Sequence, residues 1–433
     1  MSGFTLSSIR PRLAVGALFA GGFLGPFGGG VTASMLPEIA GDLDVSTGRA
    51  AVTLTAYLLP FGALMLVSGT LGERWGRART VVVGYLVYVL ASLACVLAPT
   101  FDLLLAGRVL QGSANAFTTP LLLAALAAVT PAERLGRALG LFGSLQAAGQ
   151  TSAPLVGGLS ASVDWRYAFV GVAVVAAVLA AVGLPEHARA SGGRDPVRLR
   201  TALRPDVIRT GLVAGLGWGA LGGLSFLVAF RAGDDFGLSA TGRGLLLTGF
   251  GVAGLLTARL VGGGVDRFGA RRCVLLGALA GAVLVALVGT LGSLVLVGVG
   301  WALAGVAAQL LLVGLNASVL SGGGANRGGA VSVVQALRFL GAAAAPVALT
   351  PLYGVHPSVA FLVPTLALTL LAPVLLPRAR VRADGTGAPG PPAVDPDGPP
   401  RRDGGGKPAE PPPAGAVASG RAVSEAGRDG SDG

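Results

Sequence analysis

Twelve apolar runs, bounded by charged or glycine-rich stretches, fill the chain at about 13–36, 50–70, 80–98, 102–126, 137–160, 166–184, 209–231, 243–262, 272–290, 293–317, 329–351 and 357–376. A run of roughly 18 residues or more can cross a bilayer as a helix, because about 20 residues rising 1.5 Å each match a hydrocarbon core about 30 Å thick. The pattern predicts an all-α membrane protein of twelve transmembrane helices. Arg10 and Arg12 precede the first run as a basic segment precedes a secretory leader, but its 24 residues exceed the roughly 7–15 apolar residues of a leader's core. It is expected to persist as a helix.

Composition removes the alternatives. The chain is 52% hydrophobic and 12% charged, with a mean hydropathy of +0.72, against roughly 25% charge in soluble domains. A water-soluble fold of this size would lack the polar surface it needs. The 71 glycines follow no Gly-X-Y period, which excludes collagen. Cys95 lies inside one apolar run and Cys273 at the edge of another, without metal-ligand spacing, so both are expected to be packing residues. A net charge of +11 would suit a nucleic-acid groove only if the basic residues clustered with aromatic platforms. They stand singly between apolar runs, so no nucleic-acid partner is expected.

The arginines set orientation instead, since loops on the cytoplasmic side are enriched in Lys and Arg. With the N-terminus inside, 25 of the 32 basic residues fall on the cytoplasmic side. Arg49, Arg166, Arg231 and Arg243 fall outside, and Arg108, Arg259 and Arg338 lie within spans. Both termini are then cytoplasmic and the chain is a multi-pass protein of the inner cell membrane. Residues 1–12 form the N-terminus, 13–185 and 209–377 two six-helix bundles, 186–208 a basic linker, and 378–433 a tail. The tail is rich in Pro, Gly, Ala and charge, too poor in apolar groups to offset chain entropy, and is expected to be disordered.

The two bundles are related. Gly69, Glu73, Arg74 and Gly76, between spans 2 and 3, match Gly262, Asp266, Arg267 and Gly269, between spans 8 and 9, at an offset of 193. Gly112 meets Gly305 at the same offset, and Gly149, Ala153 and Pro154 match Gly341, Ala345 and Pro346 at 192. A duplicated six-helix unit, both halves running the same way, explains all three. In the loop, glycines permit close approach, while Glu73 can pair with Arg74 or Arg77. Such a charged clasp is expected to hold one arrangement of the halves and release in another.

These residues resemble the major facilitator superfamily, and within it the twelve-helix drug:proton antiporters. The loop signature is matched at Gly69, Glu73 (where the family usually has Asp), Arg74, Gly76, Arg77 and Arg79; the span 4 signature at Arg108, Gln111 and Gly112. The span 5 antiporter signature is matched at Gly149, Pro154, Gly157 and Gly158, with Ala153 replacing its usual Gly. Asp164-Trp165-Arg166-Tyr167-Ala168-Phe169, opening span 6, is also common among such exporters. The resemblance implies the major facilitator fold, with two bundles rocking about a central site, and export driven by a proton gradient with no bound cofactor.

Ionisable groups within a membrane are costly, roughly 2.5–3.5 kcal/mol each, so the few present are the first functional candidates. Arg108 and Arg338 are expected to face a central cavity together with Gln111, Asn115, Gln146, Gln150, Gln309, Asn316 and Gln335. Arg259, near the inner end of span 8, is expected to snorkel. The family's span 1 carboxylate is missing: Gly28-Gly29-Gly30-Val31-Thr32-Ala33-Ser34, before Leu36-Pro37, holds no acid. Arginine cannot release its proton, and neither His187 nor His356 is placed to substitute. Glu38 or Asp102 beside Arg108 is therefore the expected proton carrier. Two arginines without a buried acid should favour neutral or anionic solutes.

The expected function is secondary active transport, with export of small organic compounds such as drugs or metabolites by alternating access and proton antiport. The partners are a small organic solute and the lipid bilayer, and the chain is expected to be monomeric. An importer or uniporter of organic anions on the same scaffold is the nearest rival. A non-transporting membrane receptor or assembly factor is another. An enzyme is not expected: neither G-x-x-x-x-G-K-[ST] nor H-E-x-x-H occurs, there is no metal site, and the chain has only 2 histidines.

Overall fold

A computed structural model describes residues 6–185, 188, 203–321 and 327–377. Among the described residues the regular structure is all helical. Twelve long helices carry the fold: α1 (Leu6–Gly30), α2 (Val52–Trp75), α3 (Arg77–Val96), α4 (Phe101–Val129), α5 (Ala132–Ala161), α6 (Arg166–Val182), α7 (Pro205–Ala220), α8 (Ala240–Phe268), α9 (Ala270–Thr290), α10 (Leu294–Ser321), α11 (Arg327–Val355) and α12 (Pro357–Leu375). A 3-10 turn (Val31–Ser34) and short helices Leu36–Asp42 and Thr47–Ala50 join α1 to α2, and Ser225–Asp234 extends α7.

Among the described residues, ten helical stretches are long and apolar enough to cross a membrane. The other two fall short for separate reasons. α5 carries Glu133, Arg134, Arg137, Gln146 and Gln150, and it is packed between α1 and α8, where a polar face costs less than in lipid. α6 has 17 residues, just under the spanning length. Each of the twelve runs corresponds to one long helix, most of them longer than their apolar core, except that the seventh run is broken after Ala220 and continues into Ser225–Asp234. α1 starts at Leu6 rather than 13, and α7 at Pro205 rather than 209, a proline losing nothing at a first helical turn where its N–H has no partner. Residues 1–5, the basic linker at 186, 187 and 189–202, and the tail from 378 to 433 lie outside the described residues.

Helix ends follow local chemistry. Thr100 accepts the Leu103 amide at 3.4 Å, and Ser239 accepts the Gly242 amide at 3.3 Å, filling orphan donors at the starts of α4 and α8. Gly76 (φ +93°) and Gly269 (φ +84°) turn the chain from α2 into α3 and from α8 into α9. Both occupy a backbone region that side chains disfavour.

The duplication extends to the packing. A side chain at Gly112 would strike the carbonyl of Tyr57, and one at Gly305 that of Phe250, both pairs shifted by 193. Gly84 lies on the Ala114 carbonyl and Gly277 on that of Ala307. Gly149 lies on Phe23 and Gly341 on Gly215, shifted by 192. In each half, α4 packs on α2 and α3, or α10 on α8 and α9, through glycines that admit the neighbouring backbone.

Candidate functional site

The halves meet along two seams, α5 on α8 and α2 on α11. Gly158 lies against the Ala240 carbonyl, Gly244 against that of Pro154, and Gly251 against Thr151. Along the other seam, Thr55 donates to the Ala343 carbonyl at 2.6 Å, Gly48 lies against Thr350, and the rings of Phe61 and Phe339 meet edge-on at 4.7 Å. These contacts run from the middle of the helices to the end that carries Glu38. Toward the opposite end, which carries Glu73 and Asp266, Gly262, Gly263 and Gly264 of α8 have nothing within 4 Å of where a side chain would begin. Among the described residues the named contacts between the halves lie at the middle and the Glu38 end, while the α8 glycines toward the Glu73 end have no neighbour.

The antiporter-like signature supplies the seal. Gly149 of α5 accepts the backbone of α1 at Phe23 and Gly157 that of the 3-10 turn at Val31, while Gly158 turns toward α8. Ala153 abuts Gly30. Pro154, inside α5, has no N–H, and its own carbonyl accepts from Ser34 Oγ at 2.6 Å. Arg243 of α8 completes the layer. It donates to the Ser34 carbonyl at 3.1 Å and the Leu238 carbonyl at 2.9 Å, and forms an ion pair with Glu38. Arg243 is 5% exposed, so the pair ties the two halves in partly dehydrated surroundings.

Beneath this layer lies a cavity of about 110 Å³ between the halves, walled by α1, α2, α5, α7, α8, α10 and α11. Its surface is aromatic and apolar, with Tyr57, Phe61, Trp218, Phe250, Trp301 and Phe339 prominent. A second hollow of about 480 Å³ lies at the Glu38 end, lined by Pro37, Thr47, Asp234, Arg243, Thr350 and Tyr353 among others.

The expected cavity set is mostly not on this wall. Among its polar members only Gln150 lines the cavity. Arg108, Gln111 and Asn115 are buried inside the first half. Arg108 donates to Gln111 at 2.8 Å and to the Thr53 carbonyl at 3.3 Å, and lies 4.5 Å over the Tyr57 ring. Gln111 in turn donates to Ser92 at 2.8 Å, and Asn115 accepts from Thr118 and Thr119 at 3.3 Å. Among the described residues no acid pairs with Arg108, so the expected placement of Glu38 or Asp102 beside it is corrected: Glu38 pairs with Arg243, and Asp102 with Arg49 at 3.5 Å, largely exposed. Gln146, Gln309, Asn316 and Gln335 are half-buried. Asn316 Oδ1 and Gln335 Oε1 are sealed without partners. Arg338 is buried and stacks on Trp218 at 4.2 Å and Phe339 at 4.5 Å, both of them cavity residues. Arg259 is exposed, as a snorkelling arginine would be.

At the loop signature, Glu73 accepts from Arg77 at 2.7 Å, and Arg77, nearly buried, reaches the Ala188 carbonyl at 3.3 Å. Arg74 and Arg79 are exposed, and Gly69 touches Pro120. The second copy differs: Asp266 makes no ion pair among the described residues, and Ala270 stands where an i+4 arginine would be needed. Arg267 lies over Phe268 instead, at 5.4 Å. Among the described residues the clasp forms in the first half only.

Sequence reasoning missed Arg243. All four arginines on the sparsely basic side hold carboxylates: Arg49 with Asp102, Arg166 with Asp42 at 2.7 Å, Arg231 with Asp235 at 2.8 Å, and Arg243 with Glu38. Their being exceptions to the charge asymmetry was the available signal.

The Major Facilitator Superfamily pattern matches residues 18–346. The chain belongs to that superfamily. Members of that superfamily are transporters, and the chain shares their all-helical, duplicated fold. An uncharacterized MFS-type transporter of Mycobacterium tuberculosis is 34% identical over 185 residues, covering 41% of this chain and 32% of the relative. The probable actinorhodin transporter of Streptomyces coelicolor is 31% identical over 199 residues (44% and 33%), and the puromycin resistance protein of Streptomyces alboniger 37% over 151 residues (34% and 30%). The matched stretches thus cover about a third of each relative's length. Among solved structures, the human organic anion transporter MFSD10 superposes with a TM-score of 0.62 at 19% identity, covering 85% of this chain and 99% of that one. A bacterial homolog of the human lysosomal transporter Spinster, in an inward-facing and unoccupied conformation, does so at 0.62 and 16%, covering 85% and 95%. At these identities the likeness concerns the fold.

Proposed function

We propose that the chain exports small organic compounds across the bacterial inner membrane by alternating access, exchanging them for protons. The carrying observation is the central cavity between two halves packed through equivalent glycines, joined by the α5–α8 and α2–α11 seams at the Glu38 end, with the α8 glycines toward the Glu73 end free of neighbours among the described residues. The basic loops support a cytoplasmic Glu73 end, and on that reading this conformation loads from inside. Relatives named for actinorhodin transport and puromycin resistance support export as the direction.

Glu38 is the acid best placed to couple protons to this cycle. Protonation removes the charge that Arg243 pairs with, which weakens the seal on the side from which protons arrive. The mechanism needs no bound cofactor. Reconstitution in proteoliposomes tests both parts. Export requires pH-gradient-driven flux of a substrate found by resistance and accumulation screening. Glu38→Gln should uncouple that flux from the gradient while Asp102→Asn leaves it intact. Coupling unaltered by Glu38→Gln would remove Glu38 as the carrier, and downhill flux indifferent to the gradient in the native chain would favour a uniporter.

A further inference from the structure

The two intramembrane arginines are held in different ways. Arg108 has its charge spread over neutral acceptors, the Gln111 amide oxygen at 2.8 Å and the Thr53 carbonyl at 3.3 Å. Arg338 is 6% exposed, yet among the described residues it has neither a hydrogen bond nor a carboxylate, and its Nε is sealed without a partner. Its guanidinium lies 4.2 Å from the Trp218 ring and 4.5 Å from that of Phe339; both rings line the central cavity, and Arg338 borders it through them without being on the lining itself.

Taking a guanidinium out of water is costly unless its donors are met. Two aromatic faces return only part of that. The duplicated architecture does not demand a cation here, because the equivalent residue of the first half, at an offset of 192, is Gln146. Three residues earlier on α11, and so on the same helical face, Gln335 has a sealed and unpartnered Oε1. A planar fork of unfilled donors fits a carboxylate or sulfonate in bidentate fashion, and the flanking rings suit a flat apolar body.

We propose that Arg338, against the Trp218 and Phe339 rings of the cavity wall, is an anion-reading subsite bordering the central cavity, taking the acidic group of a flat aromatic organic anion. The proposal rests on the transporter reading above and narrows it to a substrate class.

The test uses full-length protein in phosphatidylcholine nanodiscs, with equilibrium dialysis of radiolabelled 2-naphthoate, 2-naphthamide and 2-naphthylmethylammonium. Naphthoate should bind tightest. Arg338→Gln should weaken naphthoate by roughly 10- to 100-fold, the worth of a charge-assisted hydrogen-bond pair, and leave naphthamide within about 3-fold. Arg338→Lys, which keeps the charge but loses the fork, should fall between. Arg259→Gln, removing an exposed arginine, should change nothing. Retained naphthamide binding shows that a variant is folded. Equal affinity for all three probes in the native chain, binding of none, a naphthoate affinity indifferent to Arg338→Gln, or parallel loss of naphthoate and naphthamide would each overturn the subsite. Flux measured separately tells the two readings apart: a refuted subsite with gradient-driven flux leaves export standing, whereas anion-selective binding without flux leaves the subsite and removes export.

Discussion

Removing the Arg243 charge should open the Glu38 end, and the size of the effect follows from the contacts. Two of the three bonds of Arg243, to Glu38 and to the Ser34 carbonyl, cross from the second half to the first; the third, to Leu238, stays within the second half and survives opening. Breaking a fully buried pair costs about 3–5 kcal/mol, and an exposed one about 0–1 kcal/mol. With the Glu38 side chain 28% exposed and that of Arg243 6% exposed, about 2 kcal/mol is a fair middle value, a roughly 30-fold change in the ratio of closed to open. The assay is labelling of Gln150→Cys, on the cavity wall, by an impermeant maleimide from each side, with Cys95 and Cys273 replaced by alanine. Arg243→Gln should speed labelling from the Glu38 side by roughly 30-fold and slow it from the other side. Glu38→Gln should act similarly, and the double variant little more than either alone, since both remove one interaction. Unchanged labelling from the Glu38 side, or full additivity of the two substitutions, would refute the seal.

Other outcomes follow from the same geometry. Thr55→Val removes a 2.6 Å hydrogen bond between α2 and α11, about 1 kcal/mol, and should increase Glu38-side labelling roughly 5-fold. Gly112→Val and Gly305→Val drive a side chain into the Tyr57 and Phe250 carbonyls, and each should cost about 1–3 kcal/mol or more, seen as a lower melting temperature of the purified protein. Gly263→Ala, with nothing within 4 Å, should melt within a degree or two of the native chain. Arg77→Ala removes its bonds to Glu73 and the Ala188 carbonyl and should destabilise by about 1–3 kcal/mol; Arg267→Ala, exposed in the second copy, should be near neutral on the same melting curve.

Run length and apolarity found every long helix, because a chain in lipid must satisfy its own backbone and so announces each crossing. The offset of 193 was equally legible, since Gly112 and Gly305 are fixed by backbone contact with Tyr57 and Phe250 and leave no room for drift. What the spacing of residues did not reveal was which way polar side chains turn. Arg108 and Arg338 look alike in sequence, each a lone arginine in an apolar run. One is folded into its own bundle by Gln111 and Tyr57, and the other stacks on rings of the cavity. Those environments are made by residues far apart in the chain. The Glu38–Arg243 pair, 205 residues apart, is invisible for the same reason, as is the absence of a second loop clasp until Ala270 is set against Arg77.

The central claim is that the halves move against each other about the cavity. Paired spin labels measure it directly by double electron–electron resonance. One pair, Val163→Cys with Val355→Cys, sits at exposed positions at the Glu38 end, and the other, Trp75→Cys with Phe268→Cys, at exposed positions at the Glu73 end. Introducing Arg243→Gln should lengthen the first distance and shorten the second, in the same sample conditions and to comparable populations. Two distances that stay fixed, or that lengthen together, would contradict the account.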